Sequence, residues 1–156
     1  MNNDFPEIER CPHCKGRIRL ARHGFYWRNA ITAAKQYRLP ICRLVCPSCR
    51  KTVSLLPSFL LPYFQHAVDV ILEKLHNSLM YRRITGCHQL VLFYRKRFIQ
   101  NLNRIEMFFR DIGFRGVLPQ ETKEKAIRLL EILRALGKAT LPGRANGHFA
   151  SNFMAN

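Results

Sequence analysis

The residues best suited to chemistry in this sequence are two matched cysteine pairs, Cys11-Pro12-His13-Cys14 and Cys46-Pro47-Ser48-Cys49. A gap of two residues lets both thiolates of a pair face one ion while amides of the turn donate to the sulfurs. Residues 15–45 separate the pairs, enough for two strands and a turn that bring them together. Four sulfurs close a tetrahedral shell, so the expected cofactor is a structural Zn²⁺ held by Cys11, Cys14, Cys46 and Cys49. A catalytic zinc would instead keep one position open, usually with His or a carboxylate nearby. A thioredoxin-like redox pair needs a βαβ context that is missing and leaves the second pair unexplained. An iron–sulfur cluster would use the same four ligands but has no other support. Cys42 competes as a ligand, its plainer role being a small buried residue on the strand entering the second pair. Cys87 reads as a core thiol beside Gly86, and His13 and His23 as surface side chains. Gly16 follows the first pair where a positive φ is often wanted, and Lys51 holds the equivalent place after the second.

Charge points to the partner. Lys plus Arg number 26 against 10 Asp plus Glu, a formal +16. Large net charge serves solubility, but here it is also segregated. From Arg10 to His66 there are 11 Lys and Arg and no carboxylate, and from Lys74 to Arg104 there are 7 more, again with none. Solvated faces normally mix signs, whereas acid-free blocks suit phosphate. The expected partner is double-stranded DNA. Near the cysteines, the candidate contacts are Arg17, Arg19, Arg22 and His23, then Arg28, with Arg38, Arg43, Arg50 and Lys51 on the return side. Tyr26 and Trp27 interleave with these cations, a mixture suited to phosphate contact plus stacking. For Phe25 and Trp27 the simpler expectation is a small core beneath the strands.

These residues need elements to position them. Alternating apolar patterns predict strands over 17–28, 37–45 and 51–55. A sheet of that size cannot hold itself by burial alone and needs a staple. An apolar connector with Pro57 and Pro62 leads into helical spacing, which predicts helices over 63–76 and 79–85, the second stopping at Gly86. Val91, Tyr94, Phe98, Leu102, Ile105, Phe109 and Ile112 form one stripe, predicting a continuous helix over 88–111. That stripe suits burial in a bundle or a homodimer contact equally. A last helix, 120–136, ends at Gly137, and the tail 138–156 reads as irregular. The fold class is thus α+β, a four-cysteine zinc ribbon (1–56) followed by an all-α domain (57–137).

Residues 78–97 have the length of a helix-turn-helix, with Gly86 at the sharp turn; a plain helical bundle is the alternative. The recognition surface would then comprise Arg82, Arg83, His88, Gln89, Arg95, Lys96 and Arg97. The register departs from the usual pattern, since Arg82 falls where a small residue packs and Arg95 where a buried one belongs. The stretch Val53 to Leu72 is interrupted by prolines and polar residues and lacks the roughly 20 apolar residues of a membrane span. The first ten residues are polar and acidic, unlike a secretory signal. The expected location is cytoplasmic and nucleoid-associated, where six cysteines mean metal or free thiols before disulfides.

One run of the sequence is distinctive: Cys11-Pro-x-Cys, Arg22-His23-Gly24-Phe25-Tyr26, Leu39-Pro40-Ile41, then Cys46-Pro-x-Cys-x-Lys-Thr-x-Ser-Leu-Leu-Pro-Ser-Phe-Leu-Leu-Pro62. It resembles a bacterial zinc-ribbon family of unknown function associated with insertion sequences, and is similar to the N-terminal zinc-ribbon heads of transposases. The resemblance covers residues 11–66. It implies a DNA-binding accessory or regulatory component linked to a transposable element, partnered with a separately encoded transposase. A cutting enzyme needs three metal-bound carboxylates on a sizeable α/β scaffold. Here Asp69, Glu73, Glu106, Asp111, Glu121, Glu124 and Glu131 are spread along helices as solvent-face charges, and no other catalytic pattern is present. The chain is therefore expected not to be an enzyme. The alternative function is a zinc-dependent protein-interaction adaptor or RNA-binding module.

Overall fold

Strands form where β-branched and aromatic residues alternate, and helices where apolar residues recur every three or four positions. The computed structural model describes residues 7–138. Its three strands are β1 (Ala21–Ile31), β2 (Gln36–Val45) and β3 (Thr52–Leu55), in the order β1-β2-β3. β2 and β3 are antiparallel, with Cys42 opposite Leu55 and Leu44 opposite Val53. The sequence places the first strand four residues early. Residues 18–20 lie outside β1, where Leu20 donates its N–H to the Ile8 carbonyl at 3.1 Å, and Arg10 and Arg17 form an isolated bridge.

The chain divides into two compact units. One runs to Ala30 and resumes at Gln36–Pro57; the other takes Ile31–Lys35 and the residues from Ser58 on. In the first unit the buried cluster is small: Cys11, Leu20, Cys42, Leu44 and Cys46, flanked by half-buried Ile8, Ile18, Val53 and Leu55. In the second unit, Ile31 bonds across to Gln65 and Ala67 (both N···O 2.8 Å), and Thr32 and Lys35 close the turn between β1 and β2.

Four helices build the second unit: α1 (Val68–Met80), α2 (His88–Gln100), α3 (Leu102–Asp111) and α4 (Thr122–Lys138). α1 starts later than the spacing predicts because Tyr63 takes a left-handed backbone (φ 69°). Residues 59–67 instead form turns closed by Phe64 N–H to Leu61 O and Val68 N–H to Phe59 O. The connector still packs inward, with Leu61 and Phe64 in the helical core. The expected helix over 79–85 does not form. α1 runs on to Met80, and residues 81–87 are a loop with Arg82 (φ 52°) and Gly86 (φ 84°) in left-handed conformations.

The long stripe exists, but on two helices. Asn101 (φ −100°, ψ 6°) breaks the run, and its side-chain amide donates to the Arg97 carbonyl at 2.8 Å. The stripe residues Tyr94, Phe98, Leu102, Ile105 and Phe109 remain buried across the break, with Leu129, Leu130 and Leu133 of α4 in the same core. Ile112 at the end of the stripe is exposed. The Glu121 carboxylate caps α4 by accepting from the N–H groups of Lys123 and Glu124. Glu106 binds Lys125 at 2.5 Å and Arg110 at 3.4 Å, tying α3 to α4, so it is a structural ion pair and not a solvent-face charge. Tyr94 meets His66 Nδ1 at 2.9 Å, and burial pushes its phenol up to about 12. α4 continues through Gly137 to Lys138 where a stop was expected; from residue 139 the expected irregular tail lies outside the described residues. Among the described residues, no helix is long and apolar enough to cross a membrane.

Candidate metal centre and basic surface

Each cysteine pair sits on a tight turn, and the two turns repeat one hydrogen-bond scheme. In the first, Lys15 N–H donates to Cys11 O (2.9 Å) and Cys11 N–H to Gly16 O (3.0 Å). In the second, Arg50 N–H donates to Cys46 O (2.9 Å) and Cys46 N–H to Lys51 O (3.0 Å). The scheme needs a left-handed residue four positions after the first cysteine of each pair. That residue is Lys15 (φ 61°) in one turn and Arg50 (φ 60°) in the other, one position before the Gly16 and Lys51 that the sequence suggested. Gly16 itself has no positive φ, and a Cβ there would make only ordinary contact with Cys14 Sγ at 3.5 Å.

The turns bring all four sulfurs of Cys11, Cys14, Cys46 and Cys49 within 4.8 Å of one another. Cys11 and Cys49 are 3.7 Å apart, and Cys14 and Cys46 3.9 Å. A regular tetrahedron with Zn–S bonds of about 2.3 Å has edges of about 3.8 Å. These separations therefore fit one tetrahedral ion, and the four cysteines form a site that can hold a metal. The acidities point the same way. The backbone amide of Cys14 draws the Cys11 thiol down to about 6 against the opposing pull of burial. The Lys51 amide favours the Cys49 thiolate too, but burial and the three neighbouring sulfurs push that thiol up to about 11. Crowded thiols resist full ionisation until a cation shares the charge, and a bound divalent metal does so.

Cys42 is buried in the ribbon core outside this group, its thiol 3.9 Å from the Arg43 carbonyl, so it is a packing residue. Cys87 is exposed at the N-terminus of α2, which corrects its reading as a core thiol. His13 and His23 are both exposed.

The basic candidates of the ribbon lie on its surface. Arg17, Arg19, Arg22, His23, Arg43, Arg50 and Lys51 are exposed, and Arg28 is half-buried. Arg19 pairs with Glu7. The expectation that Phe25 and Trp27 pack inside fails: they are 46% and 62% exposed, and Tyr37 is exposed with them. The opposite parity of β1 (Gly24, Tyr26, Arg28, Ala30) turns toward cover, with Ala30 fully buried. Arginines lie over the rings: Arg22 over Phe25 (5.7 Å), Arg38 over Trp27 (5.6 Å) and Arg43 over Tyr26 (5.7 Å). Both parities of β1 carry an aromatic, so period-two alternation did not decide which faced out.

In the helical unit, Arg82, Arg83, His88, Gln89 and Lys96 are exposed, and Arg95 and Arg97 half-buried. Arg97 lies over Phe93 at 4.7 Å, whereas Arg82 and Arg95 line a cavity with Lys123, a residue the sequence did not single out. A loop of 81–87 replaces the sharp turn of about three or four residues that a helix-turn-helix uses.

Fold and site together define a small antiparallel ribbon bearing a cluster of four cysteines that can hold a metal, followed by a four-helix unit. Residues 11–86 match a family described as a domain of unknown function (DUF6431), which spans the ribbon, the connector and α1. No curated protein and no solved structure matches the chain.

Proposed function

We propose that the chain is a DNA-binding protein whose ribbon is stapled by a structural Zn²⁺ and whose role is accessory or regulatory, linked to a transposable element. The observation that carries this reading is the exposed face of the ribbon. Rings and guanidinium groups alternate there, within a stretch from Arg10 to His66 that holds no carboxylate. Cations supply phosphate contacts, and exposed rings add sequence-tolerant stacking or groove contacts. The zinc would supply folding energy and no chemistry, its shell closed by sulfur. We assign the chain no catalysis of its own. Glu106, Glu121 and Glu131 are engaged in ion pairs or a helix cap, which supports that view. A separately encoded transposase and the cytoplasmic nucleoid are the matching partner and place.

The test is selection of zinc-loaded protein on random duplexes at two salt concentrations, followed by binding isotherms for the retained pool. Each phosphate contact adds about 0.9 to the slope of log K against log salt. Replacing Arg22, Arg38 and Arg43 together by Gln should flatten that slope by about two to three. An unchanged slope contradicts DNA contact through the ribbon. The apolar area of Trp27 and Phe25 favours a second reading, a zinc-dependent adaptor docking on protein or structured RNA. That reading gains if the duplex pool is not retained while RNA or a protein partner is.

A further inference from the structure

The helical unit contains a cavity of about 260 Å³. It is lined by Ser78 and Leu79 of α1, Arg82 and Ile84 of the loop that follows, Arg95 of α2 and Lys123 of α4. Three of these six are cations from three separate stretches of chain, and no carboxylate lines the space. Among the described residues, none of the three cationic side chains has a hydrogen-bond or ion-pair partner. Of the two acidic residues flanking Lys123, Glu121 is occupied with the backbone N–H groups that begin α4, and Glu124 does not line the cavity.

A second observation is independent of the charges. Ser78 is 2% exposed, and its hydroxyl has no hydrogen-bond partner. A buried hydroxyl without a partner is rare in folded proteins, and each case calls for a reason. Here it borders a space surrounded by donors, so the group that would satisfy it is an acceptor carrying negative charge. Gathering three unpaired cations is unfavourable unless an anion shares the space. Two guanidinium forks and an ammonium offer only donors, and the Ser78 hydroxyl can donate as well, together the complement of an oxygen-rich dianion. The volume is several times the roughly 30 Å³ of a single water, so a tetrahedral anion fits with part of its hydration.

We infer that this cavity is a binding site for a phosphate group. Arg82 and Arg95 hold its oxygens as bidentate donors, Lys123 adds a point charge, and the Ser78 hydroxyl donates to an oxygen at the buried end. The phosphate belongs either to a DNA strand or to a phosphomonoester such as a nucleotide.

The direct test titrates inorganic phosphate into the full-length, metal-loaded protein, with ionic strength held constant by chloride. Arginine side-chain N–H resonances and melting temperature provide the readouts. Saturable shifts at Arg82 and Arg95 are expected, with affinity weakened roughly tenfold or more in Arg95→Gln and in Lys123→Gln. Ser78→Ala should weaken it severalfold; this change removes an orphaned hydroxyl and leaves the fold intact. Shifts that stay linear in concentration, or saturation that survives all three substitutions, would overturn the site. Displacement of phosphate by thymidine 5′-monophosphate with a gain in affinity assigns a phosphomonoester, whereas displacement by duplex DNA assigns a strand phosphate. The Arg22, Arg38 and Arg43 variant separates this site from the ribbon's role, because it alters DNA binding and leaves the phosphate titration unchanged.

Discussion

The two units of this chain keep their folds by different means. Among the described residues, the helical unit has a core cluster of 17, aliphatic and aromatic, spread over α1, α2, α3, α4, the connector and the loop before α4. Among the described residues, the ribbon's core cluster holds five, and three of those are cysteines. Burial scales with the size of a unit, so the ribbon cannot be stable on its apolar contacts alone. Cys11 and Cys46 belong both to that core and to the four-cysteine cluster that can hold a metal. The helical unit can be altered one contact at a time, whereas the ribbon should be held or lost as a whole.

The sharpest way to break the comparison is Cys46→Ser. Structural zinc contributes on the order of 10 kcal/mol to small metal-dependent folds, so this variant should lose bound metal and the ribbon with it. Metal analysis and the fluorescence of Trp27, the single tryptophan of the chain, check the outcome. Next in size, Phe109→Ala in the helical core should cost about 3–5 kcal/mol by denaturant unfolding, with metal content unchanged. Loss of metal in that variant would show that the units are not separable.

Much of this contrast is legible in the sequence, for a physical reason. Ligand spacing is dictated by tetrahedral geometry, so Cys11, Cys14, Cys46 and Cys49 announce their site without any knowledge of the fold. Helical stripes are nearly as plain, because burying Tyr94, Phe98, Ile105 and Phe109 requires their spacing. What stayed hidden depends on contacts between distant parts of the chain. The break at Asn101 leaves the stripe in phase, so periodicity does not register it. The left-handed turns fall on Lys15, Arg50 and Tyr63, side chains that carry no signal for a positive φ. Phe25 and Trp27 alternate as a buried face would, yet the sheet turns the other parity inward. The cavity residue Lys123 lies 28 positions from Arg95 (123 − 95), too far for any local pattern to join them.

Smaller effects sharpen the comparison further. Hydrogen bonding to Lys125, with help from Arg110, holds the Glu106 carboxyl below its usual range. Its folded-state value is lowered, so its stabilisation is complete above the ordinary carboxylate range and disappears as pH falls through the lowered value. Glu106→Gln should cost about 1 kcal/mol or less at neutral pH, and the difference from the parent should vanish in acid. Melting curves across that range decide the point. Lys15→Gly, on the ribbon side, relieves a left-handed lysine worth about 1–2 kcal/mol. Glycine's greater freedom when unfolded offsets part of this, so a net gain under about 1 kcal/mol is expected, read as tighter metal retention against a chelator.

The most direct measurement is a chelator titration of the purified protein that follows bound metal, Trp27 fluorescence and far-ultraviolet helicity together. One zinc per chain should be present at the start. Its removal should change the Trp27 signal in step while helicity persists, because α1 to α4 all belong to the other unit. A chain without metal, or one whose Trp27 signal is indifferent to the loss of metal, would contradict the account of a metal-stapled ribbon.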